Sequence, residues 1–349
     1  MNVELKNKQM SFLSEKLGGK TIMVSGATGL VGSAVVRYLL DLNRELSSDI
    51  TILALYKDEK KYQKIYGDIK DRHLCPRFFS TDESVSFNEN VDYIVHCAGI
   101  SGGSKMHLKD PVRVFDIGIN GTRSLLDYAV SHECKGFVYV STYEIYGGIN
   151  EDALIPEDHP CQLDPMVLRN SYAEVKRLCE SMCVAYSAKF GLHVYSGRLT
   201  SSFGTGVSYN DPRFFAEFAR CVVNGKNIVM KSTGGTVRNY LDVDDAASGF
   251  LYMLANGENC SAYNLTNRKN AIPVRDIAKR MIELDGNNVD LVFDIADDIR
   301  SLGFRKEGVT VVDPSKLENL GWTPVYTFDE TLIKLLDTIK AINHKVYEC

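Results

Sequence analysis

The sequence of 349 residues lacks any long apolar run. Its longest apolar stretches, such as Thr21–Ser25 and Val91–Ala98, have the length of a β-strand and fall far below the roughly 18 residues that a membrane span requires. The segment Met1–Gly19 mixes charged and apolar residues without the continuous apolar core of a secretory signal, so we predict a short exposed helix there. These observations favour a cytoplasmic protein without a membrane partner.

Basic clusters and paired cysteine motifs are also missing. The net charge is -5 and no Lys/Arg-rich run occurs, so nothing predicts binding to nucleic acid. The nine cysteines include no CxxC pair and no cysteine/histidine cluster, which argues against a disulfide framework and against a metal site. Cys179 and Cys183, four residues apart on a predicted helix, are better explained by packing. We therefore expect reduced cysteines, no metal and a small soluble partner.

What is present is an alternation of short β-branched runs with helical periodicity, which predicts an α/β fold with a doubly wound parallel sheet. The predicted strands are Thr21–Ser25, Ile50–Leu55, Tyr93–Cys97, Phe137–Ser141 and His193–Arg198, and the predicted helices are Val31–Leu42, Gly121–Ser131 and Tyr172–Lys189. The loops then lengthen, so we predict a second lobe. The first lobe comprises residues 1–198 with a return at about 237–262, and residues 199–236 and 263–349 form a smaller C-terminal α/β substrate lobe.

The return to the first lobe is predicted from a short strand, Tyr240–Val243, and from the helix that follows it. Asp244–Asp245 would cap this helix. Val274–Leu284 reads as a helix of the second lobe, and a last helix follows Gly321–Pro324.

The first strand runs into a glycine-rich turn, Gly26-Ala27-Thr28-Gly29-Leu30-Val31-Gly32, and then into a helix. In this context the glycines allow a tight turn and a close approach of a pyrophosphate to the helix N-terminus, whose N–H groups and dipole favour an anion. We therefore predict a Rossmann-type domain. Five residues of the turn are expected to contact the dinucleotide: Gly26, Thr28, Gly29, Leu30 and Val31.

The end of the second strand lacks the acidic residue that usually binds the adenine ribose of NAD. The sequence there ends in Tyr56 and Lys57, and Lys57 is either a partner for a 2′-phosphate or a solvated loop charge. Asp82, after the next apolar run, is expected near the adenine, with a loop cap as its alternative, and Ala98 near the cofactor at the end of the fourth strand. The predicted cofactor is NAD or NADP, with NAD slightly favoured.

Tyr172 and Lys176 lie at spacing i,i+4, which places both side chains on one face of a helix. A neighbouring ammonium favours the phenolate and is expected to lower the pKa of Tyr172 from about 10, which removal of a hydroxyl proton requires. Ser141 and Thr142 end another strand, where a doubly wound sheet opens its ligand crevice. The combination predicts a catalytic centre.

The chain resembles the extended short-chain dehydrogenase/reductase proteins, in particular the NAD-dependent epimerase/dehydratase family, which modifies nucleotide-linked sugars. The resemblance covers most of Lys20–Pro324. It rests on Gly26–Gly32, Val91–Ala98, Gly121-Thr122, Ser141–Gly147, Tyr172 with Lys176, Arg198–Gly204 and Arg238–Asp245.

The resemblance implies roles for these residues. Tyr172 would take the proton from a sugar hydroxyl, usually at C4, while Lys176 holds the nicotinamide ribose and Thr142 hydrogen-bonds the same sugar oxygen. Arg238 would contact the nucleoside diphosphate, and its alternative is a surface ion pair. Ser201 stands at a position where the family usually has an Asn that hydrogen-bonds the diphosphate. His96 would be structural. A homodimer joined through two helices per subunit, including Tyr172–Lys189, is also implied.

Glu144 separates the branches of the family. In relatives that resemble 4,6-dehydratases and decarboxylases a Glu at this place serves as acid or base, and Arg169 is similar to a residue of the decarboxylase-like group, although a loop arginine explains it equally well. Tyr143 replaces the second proton donor of many dehydratases, and Gly118 replaces a usual Asn.

The predicted function is transient C4 oxidation of a nucleotide-diphosphate sugar, by a 4,6-dehydratase or decarboxylase-like enzyme. The alternatives are a 4-epimerase, an NADPH-dependent reductase and a non-catalytic dinucleotide sensor.

Overall fold

A computed structural model of the protein describes residues 1–81, 85, 87–100, 109–148, 154–295 and 307–347, with the backbone alone for 344–347. A seven-stranded sheet forms its centre, and every neighbouring pair of these strands is parallel. The strands of this sheet are β1 (Thr21–Ser25), β2 (Thr51–Tyr56), β3 (Leu74–Phe78), β4 (Tyr93–His96), β5 (Gly136–Thr142), β7 (Val194–Leu199) and β11 (Ser261–Leu265). Their order, β11-β7-β5-β4-β1-β2-β3, confirms the predicted Rossmann-type sheet.

Helices cover both faces of the large sheet because successive strand residues point to opposite sides. Ile22 and Val24 of β1 belong to the core that lies under one set of helices, whereas Met23 belongs to the core on the other face. The first set comprises α1 (Val3–Leu17), α2 (Leu30–Leu46) and α7 (Val243–Asn256), and the second includes α4 (Pro111–Ser131) and α5 (Ser171–Phe190). A further helix, α3 (Glu59–Tyr66), joins β2 to β3.

The smaller lobe contains two further sheets and its own apolar core. Its strands are β6 (Leu154–Ile155), β8 (Ser201–Phe203), β9 (Ile228–Met230), β10 (Val237–Asp242), β12 (Ala271–Pro273), β13 (Leu291–Phe293) and β14 (Val309–Val312). One sheet has the order β12-β10-β14-β6, with β8 paired to β10, and the other pairs β13 with β9. The helices here are α6 (Phe214–Val223), α8 (Val274–Asp285), α9 (Ser315–Glu318) and α10 (Phe328–Tyr347). Phe203, Phe215, Tyr240, Met281 and Leu335 are buried together in the core.

Three sequence-based expectations need correction. The first helix is not simply exposed, because Met10, Leu13 and Leu17 are buried in the core beneath α2 and α7. The strand that ends at Asp242 belongs to the smaller sheet, so the chain returns to the large lobe with the helix after it. That helix is capped by Asp242, whose carboxylate accepts a hydrogen bond from the Asp244 N–H, and not by Asp244–Asp245.

Asp244 and Asp245, which do not cap this helix, have other partners. Asp244 contacts Lys334 and Arg37, and Asp245 accepts hydrogen bonds from the backbone N–H groups of Val325 and Tyr326. These carboxylates therefore tie α7 to the C-terminal part of the chain.

Candidate active site

The glycine-rich turn has the backbone geometry that a dinucleotide requires. Gly26 has φ +63°, in the left-handed region, and a Cβ added there would lie 2.9 Å from the backbone of Ala98. A Cβ at Gly32 would lie 2.2 Å from the Gly26 carbonyl oxygen. The turn therefore tolerates no side chain at either position, so the backbone of the first strand and helix can approach a bound molecule closely.

Helix α2 begins at the same turn and presents its N-terminus there. Gly29 is the N-cap residue and offers no side chain to the first N–H groups of the helix. These N–H groups and the helix dipole form an anion site of the kind that binds a pyrophosphate. The local geometry thus fits a nicotinamide dinucleotide, with Gly26, Thr28, Gly29, Leu30 and Val31 as the residues that would hold it.

A cleft of about 450 Å³ extends from this turn along the carboxyl ends of the large sheet. It brings together nearly all the predicted site residues. Those that line it are Gly26, Thr28, Gly29, Leu30, Val31, Tyr56, Lys57, Ala98, Thr142, Glu144, Tyr172, Lys176 and Ser201. Asp82 lies outside the described residues, and Arg238 does not line the cleft.

A larger cavity of about 940 Å³ lies elsewhere, beside α1 and α2. Arg37, Tyr38, Asp244 and Tyr326 are among its lining residues, and it contains neither the glycine-rich turn nor the Tyr172/Lys176 pair. The smaller cleft is the candidate active site because the predicted Tyr172/Lys176 pair and the glycine-rich turn both line it.

Tyr172 lies in the cleft near the N-terminus of α5. Burial raises the pKa of its phenol, and the Glu144 carboxylate raises this pKa further. A hydrogen bond with Thr142 and the charges of Arg213 and Arg169 act in the opposite direction but do not compensate. The prediction that the pKa of Tyr172 falls below its ordinary value is therefore wrong for this structure, because burial outweighs the nearby positive charges.

Lys176 is buried one helical turn after Tyr172. Its Nζ donates a hydrogen bond of 2.7 Å to the Val140 carbonyl oxygen and lies 6.0 Å from the centroid of the Tyr172 ring. Burial lowers the pKa of Lys176. A Cβ at Gly99 would be only 3.5 Å from Nζ, so the ammonium also faces the end of the fourth strand.

Thr142 and Glu144 belong to the turn that follows β5. The Thr142 hydroxyl accepts a hydrogen bond from the Glu144 N–H and so caps a short 3₁₀ helix, Tyr143–Tyr146. Arg169 donates to the Glu144 carboxylate, with Nη2 and Oε2 3.0 Å apart. Arg169 thus holds the carboxylate in place from the loop before α5.

The two predicted contacts of the smaller lobe differ in position. Ser201 begins β8 and lines the cleft, as expected of a residue that contacts a substrate. Arg238 on β10 instead donates a hydrogen bond of 3.2 Å to the Tyr143 hydroxyl. Its guanidinium therefore contacts Tyr143, the residue between Thr142 and Glu144, which itself lines the cleft.

Comparison with known proteins identifies the family. Residues 22–266 match the model of the NAD dependent epimerase/dehydratase family. This match covers more than half of the chain. The chain belongs to this epimerase/dehydratase family. It is therefore an enzyme of the NAD-dependent epimerase/dehydratase type, and its cofactor is NAD or NADP.

Individual members of the epimerase/dehydratase family differ in their reactions. The chain is 27% identical over 335 residues to a trifunctional UDP-glucose 4,6-dehydratase/UDP-4-keto-6-deoxy-D-glucose 3,5-epimerase/UDP-4-keto-L-rhamnose-reductase of Arabidopsis thaliana, with 91% of this chain and 46% of that protein covered. The chain thus spans about half the length of this relative. It is 26% identical to UDP-glucuronic acid decarboxylase 1 of Xenopus tropicalis, with 97% and 77% covered.

A solved structure has a similar fold. The UDP-N-acetylglucosamine 4-epimerase of Methanobrevibacter ruminantium superposes with a TM-score of 0.80, 17% identity and coverage of 93% of this chain and 99% of that one.

The departure from the family pattern at Gly118 has a structural counterpart on α5. A Cβ at Gly118 would lie 2.3 Å from Cγ1 of Val175, so the absence of a side chain on α4 accommodates the valine. The Gly118 carbonyl oxygen accepts a hydrogen bond from Thr122, whose hydroxyl also contacts His96. Burial lowers the pKa of His96 to about 3, which keeps the ring neutral, in agreement with a structural role.

Arg213, which the sequence analysis missed, also lines the cleft. It immediately precedes α6, forms a two-pronged ion pair with Asp211 at 3.0 and 2.6 Å, and lies over the Phe215 ring. Its positive charge favours the Tyr172 phenolate and so partly offsets the increase in the pKa of Tyr172 that burial causes. No local sequence motif predicts a role for this arginine. The sequence shows only that it lies in a loop rich in polar residues before an apolar helix.

Proposed function

We propose that this enzyme modifies a nucleotide-diphosphate sugar through transient oxidation at C4, as a 4,6-dehydratase or a decarboxylase-like enzyme. The observation that carries the proposal is the convergence of Thr142, Glu144, Tyr172 and Lys176 at one end of a cleft whose other end is the glycine-rich turn. A proton acceptor, a carboxylate and a dinucleotide cradle in one cleft match the needs of this chemistry.

Each residue of the cleft has a defined task in the proposed reaction. A nicotinamide dinucleotide, when bound, supplies the acceptor and later the donor of the hydride. Tyr172 takes the proton of the C4 hydroxyl in its phenolate form, and Thr142 hydrogen-bonds the same oxygen. Because burial raises the pKa of Tyr172, this step is favoured by alkaline pH. Lys176, held by the Val140 carbonyl, binds the ribose on the cofactor side.

Glu144 distinguishes the proposed reaction from simple inversion at C4. A ketone at C4 acidifies the C5–H bond, and a carboxylate beside the sugar can then accept that proton or protonate the leaving hydroxyl at C6. The ion pair with Arg169 supports this role because it fixes the orientation of the carboxylate. Tyr143 takes the place of a second acid, so Glu144 would perform the proton transfers alone.

A 4-epimerase is the second candidate. The similarity of the fold to a solved 4-epimerase and the non-acidic Tyr143 favour it. Epimerisation needs Tyr172 but no proton transfer at C5, so the two candidates differ in their dependence on Glu144.

The first experiment is to denature the purified protein and to identify the released small molecules by mass spectrometry. Stoichiometric dinucleotide together with a nucleotide-sugar would support a cofactor that is retained and recycled. Release of no dinucleotide, with binding of NADPH on addition, would contradict that cycle and favour a reductase. Failure to bind any dinucleotide would contradict the proposal as a whole.

The second experiment compares Glu144→Gln with Glu174→Gln, a matched control on α5 whose carboxylate pairs with Arg177. For a dehydratase or decarboxylase-like enzyme we expect Glu144→Gln to lower kcat by about 100-fold or more, the usual contribution of a positioned acid or base, with the control unchanged. Inversion at C4 that persists in Glu144→Gln would establish the epimerase instead.

We also propose a cytoplasmic homodimer. The cytoplasmic location is proposed from the cysteines, because none of the described ones forms a disulfide. Among the described residues, no helix is long and apolar enough to cross a membrane. Leu178, Val184 and Phe190 of α5 and Val112 of α4 are exposed, as expected of helices that pack against a second subunit. A monomer in light scattering at micromolar concentration would contradict the dimer.

A further inference from the structure

We propose that Tyr139, in the middle of β5, is a positioning residue that holds the Lys176 ammonium at the cofactor side of the cleft through the face of its ring. This inference deepens the proposed function and rests on it only in the assignment of Lys176 to the nicotinamide ribose. Tyr139 is buried and does not line the cleft, so it would act through Lys176 and not by contact with a bound molecule.

Lys176 carries a buried charge with few polar partners. The residue is 9% exposed, and within the described part of the chain it forms no ion pair with a carboxylate. Its Nζ has one hydrogen-bond acceptor there, the Val140 carbonyl oxygen at 2.7 Å, although an ammonium can donate three hydrogen bonds. A buried charge without a carboxylate is costly unless another group of opposite polarity faces it.

The Tyr139 ring supplies this polarity. Lys176 Nζ lies 4.7 Å from the centroid of the Tyr139 ring, closer than the 6.0 Å to the Tyr172 centroid. The face of an aromatic ring is the negative part of its quadrupole and attracts a cation within about 6 Å, most strongly where water is excluded. Tyr139 is 1% exposed, so water is excluded here. Two consecutive residues of β5, Tyr139 and Val140, therefore hold the ammonium.

The Tyr139 ring is itself held in place by its neighbours. Its hydroxyl forms a hydrogen bond with the thiol of Cys179, three residues after Lys176 on α5. The His96 ring lies 5.7 Å away between centroids, at an angle of 45°. Burial, and then Cys179, raises the pKa of Tyr139 well above its ordinary value, so the phenol stays neutral. A fixed, neutral ring is suited to hold an ammonium and not to exchange protons with it.

The neighbouring helix α4 does not take over this task at Gly118, which packs against Val175 beside Lys176. Gly118 has no side chain to offer. Its carbonyl oxygen already accepts two hydrogen bonds, from the Thr122 hydroxyl at 2.6 Å and from the Cys179 thiol at 3.4 Å. Because both lone pairs of that oxygen are engaged, the support of the ammonium comes from β5.

The first test measures dissociation constants of NAD⁺ and NADP⁺, in separate titrations, by calorimetry on the full chain freed of bound dinucleotide. Tyr139→Leu removes the ring, and we expect it to weaken binding about tenfold. Tyr139→Phe keeps the ring face and should restore affinity to within about twofold of wild type. The matched control is Tyr263→Leu on β11, because Tyr263 is also buried and its ring faces Lys316 at 4.9 Å, away from the cleft.

A double-mutant cycle separates positioning of Lys176 from a general structural role. Lys176→Met should weaken dinucleotide binding, and Tyr139→Leu should add less than about twofold in that background, because its target is gone. A role in packing alone would give the same loss from Tyr139→Leu with and without Lys176.

Ring fluorination tests the contact without opening space in the core, and it decides the matter if Tyr139→Leu does not fold. Tyr139 is replaced by phenylalanine, monofluorophenylalanine or trifluorophenylalanine, which have nearly the same shape but a progressively less negative ring face. We expect dinucleotide affinity to fall stepwise along this series, whereas the same series at Tyr263 should leave it unchanged.

The outcomes distinguish this inference from the proposed function. Equal affinity along the fluorinated series, or an equal loss from Tyr139→Leu with and without Lys176, would overturn the role of Tyr139 and leave the proposed function intact. Unchanged dinucleotide binding by Lys176→Met would overturn the assignment of Lys176 to the ribose and this inference with it.

Discussion

The two ends of the cleft differ in whether backbone or side chains form the site. At the dinucleotide end the backbone forms the site, since Gly26 and Gly32 leave no room for side chains. At the substrate end the site consists of side chains from separate segments, including Glu144 after β5, Tyr172 on α5 and Arg213 before α6. A backbone site constrains a short continuous stretch of sequence, whereas a side-chain site depends on how distant segments pack. We therefore expect the dinucleotide end to tolerate fewer amino-acid substitutions. The side chains of the substrate end are expected to differ between enzymes that catalyse different reactions.

Tyr172→Phe, at the substrate end, is expected to have the largest effect, because Tyr172 is the proposed proton acceptor. Loss of the phenol hydroxyl should lower kcat by about 100- to 10,000-fold on any competent nucleotide-sugar, since a proton acceptor is removed while the ring remains. Steady-state turnover measures this, with dinucleotide affinity expected to stay unchanged. The matched control is Tyr186→Phe on the same helix, whose hydroxyl contacts Asp127. Full activity of Tyr172→Phe would remove the tyrosine from the mechanism.

The pH dependence of wild type sharpens this prediction. Because burial raises the pKa of Tyr172, the phenolate fraction grows as pH increases toward that pKa. The rate of the oxidation step should therefore increase from neutral toward alkaline pH. A rate that falls over this range would contradict proton removal by Tyr172.

Gly32→Ala tests the backbone end of the comparison. The added Cβ would lie 2.2 Å from the Gly26 carbonyl oxygen, so the turn must shift. We expect dinucleotide affinity to fall by about 100-fold, because the N–H groups at the helix start lose their alignment with the pyrophosphate. Gly148→Ala is the matched control, because a Cβ added there meets no atom within 4 Å. Unchanged binding in a folded Gly32→Ala protein would show that side chains matter more here than the backbone.

Arg213→Gln should have the smallest effect of the three. We expect KM for the nucleotide-sugar to rise about tenfold, because a cation that lines the substrate end is lost while the proton acceptor remains. Dinucleotide affinity should not change. Arg280→Gln is the matched control, because Arg280 also forms a two-pronged ion pair with an aspartate, Asp329, but does not line the cleft. A loss of kcat without a change of KM would instead indicate that Arg213 acts on Tyr172.

The same contrast explains what the sequence could predict. The glycine-rich turn, the Tyr172/Lys176 pair and five of the seven strands of the large sheet are local patterns, and the structure contains each of them nearly where expected. The strands β3 and β11 were not predicted. Asp242 was missed as a cap because three aspartates within four residues each fit that role, and only packing against the C-terminal segment assigns the other two. Burial of Tyr172 depends on packing against the core of the large sheet, and the approach of Arg213 depends on folding of the second lobe, so neither follows from residue spacing.

The contact between Gly118 and Val175 makes α4 and α5 interdependent in any exchange of segments with related enzymes. An asparagine introduced at position 118 meets Cγ1 of Val175, so that substitution requires a smaller residue at position 175 first. The order of the two changes then matters, and a chimera that receives an asparagine at position 118 without a change at position 175 has a steric conflict at the residue before Lys176. Recruitment of a relative's activity into this chain therefore has to transplant the helix pair as one unit.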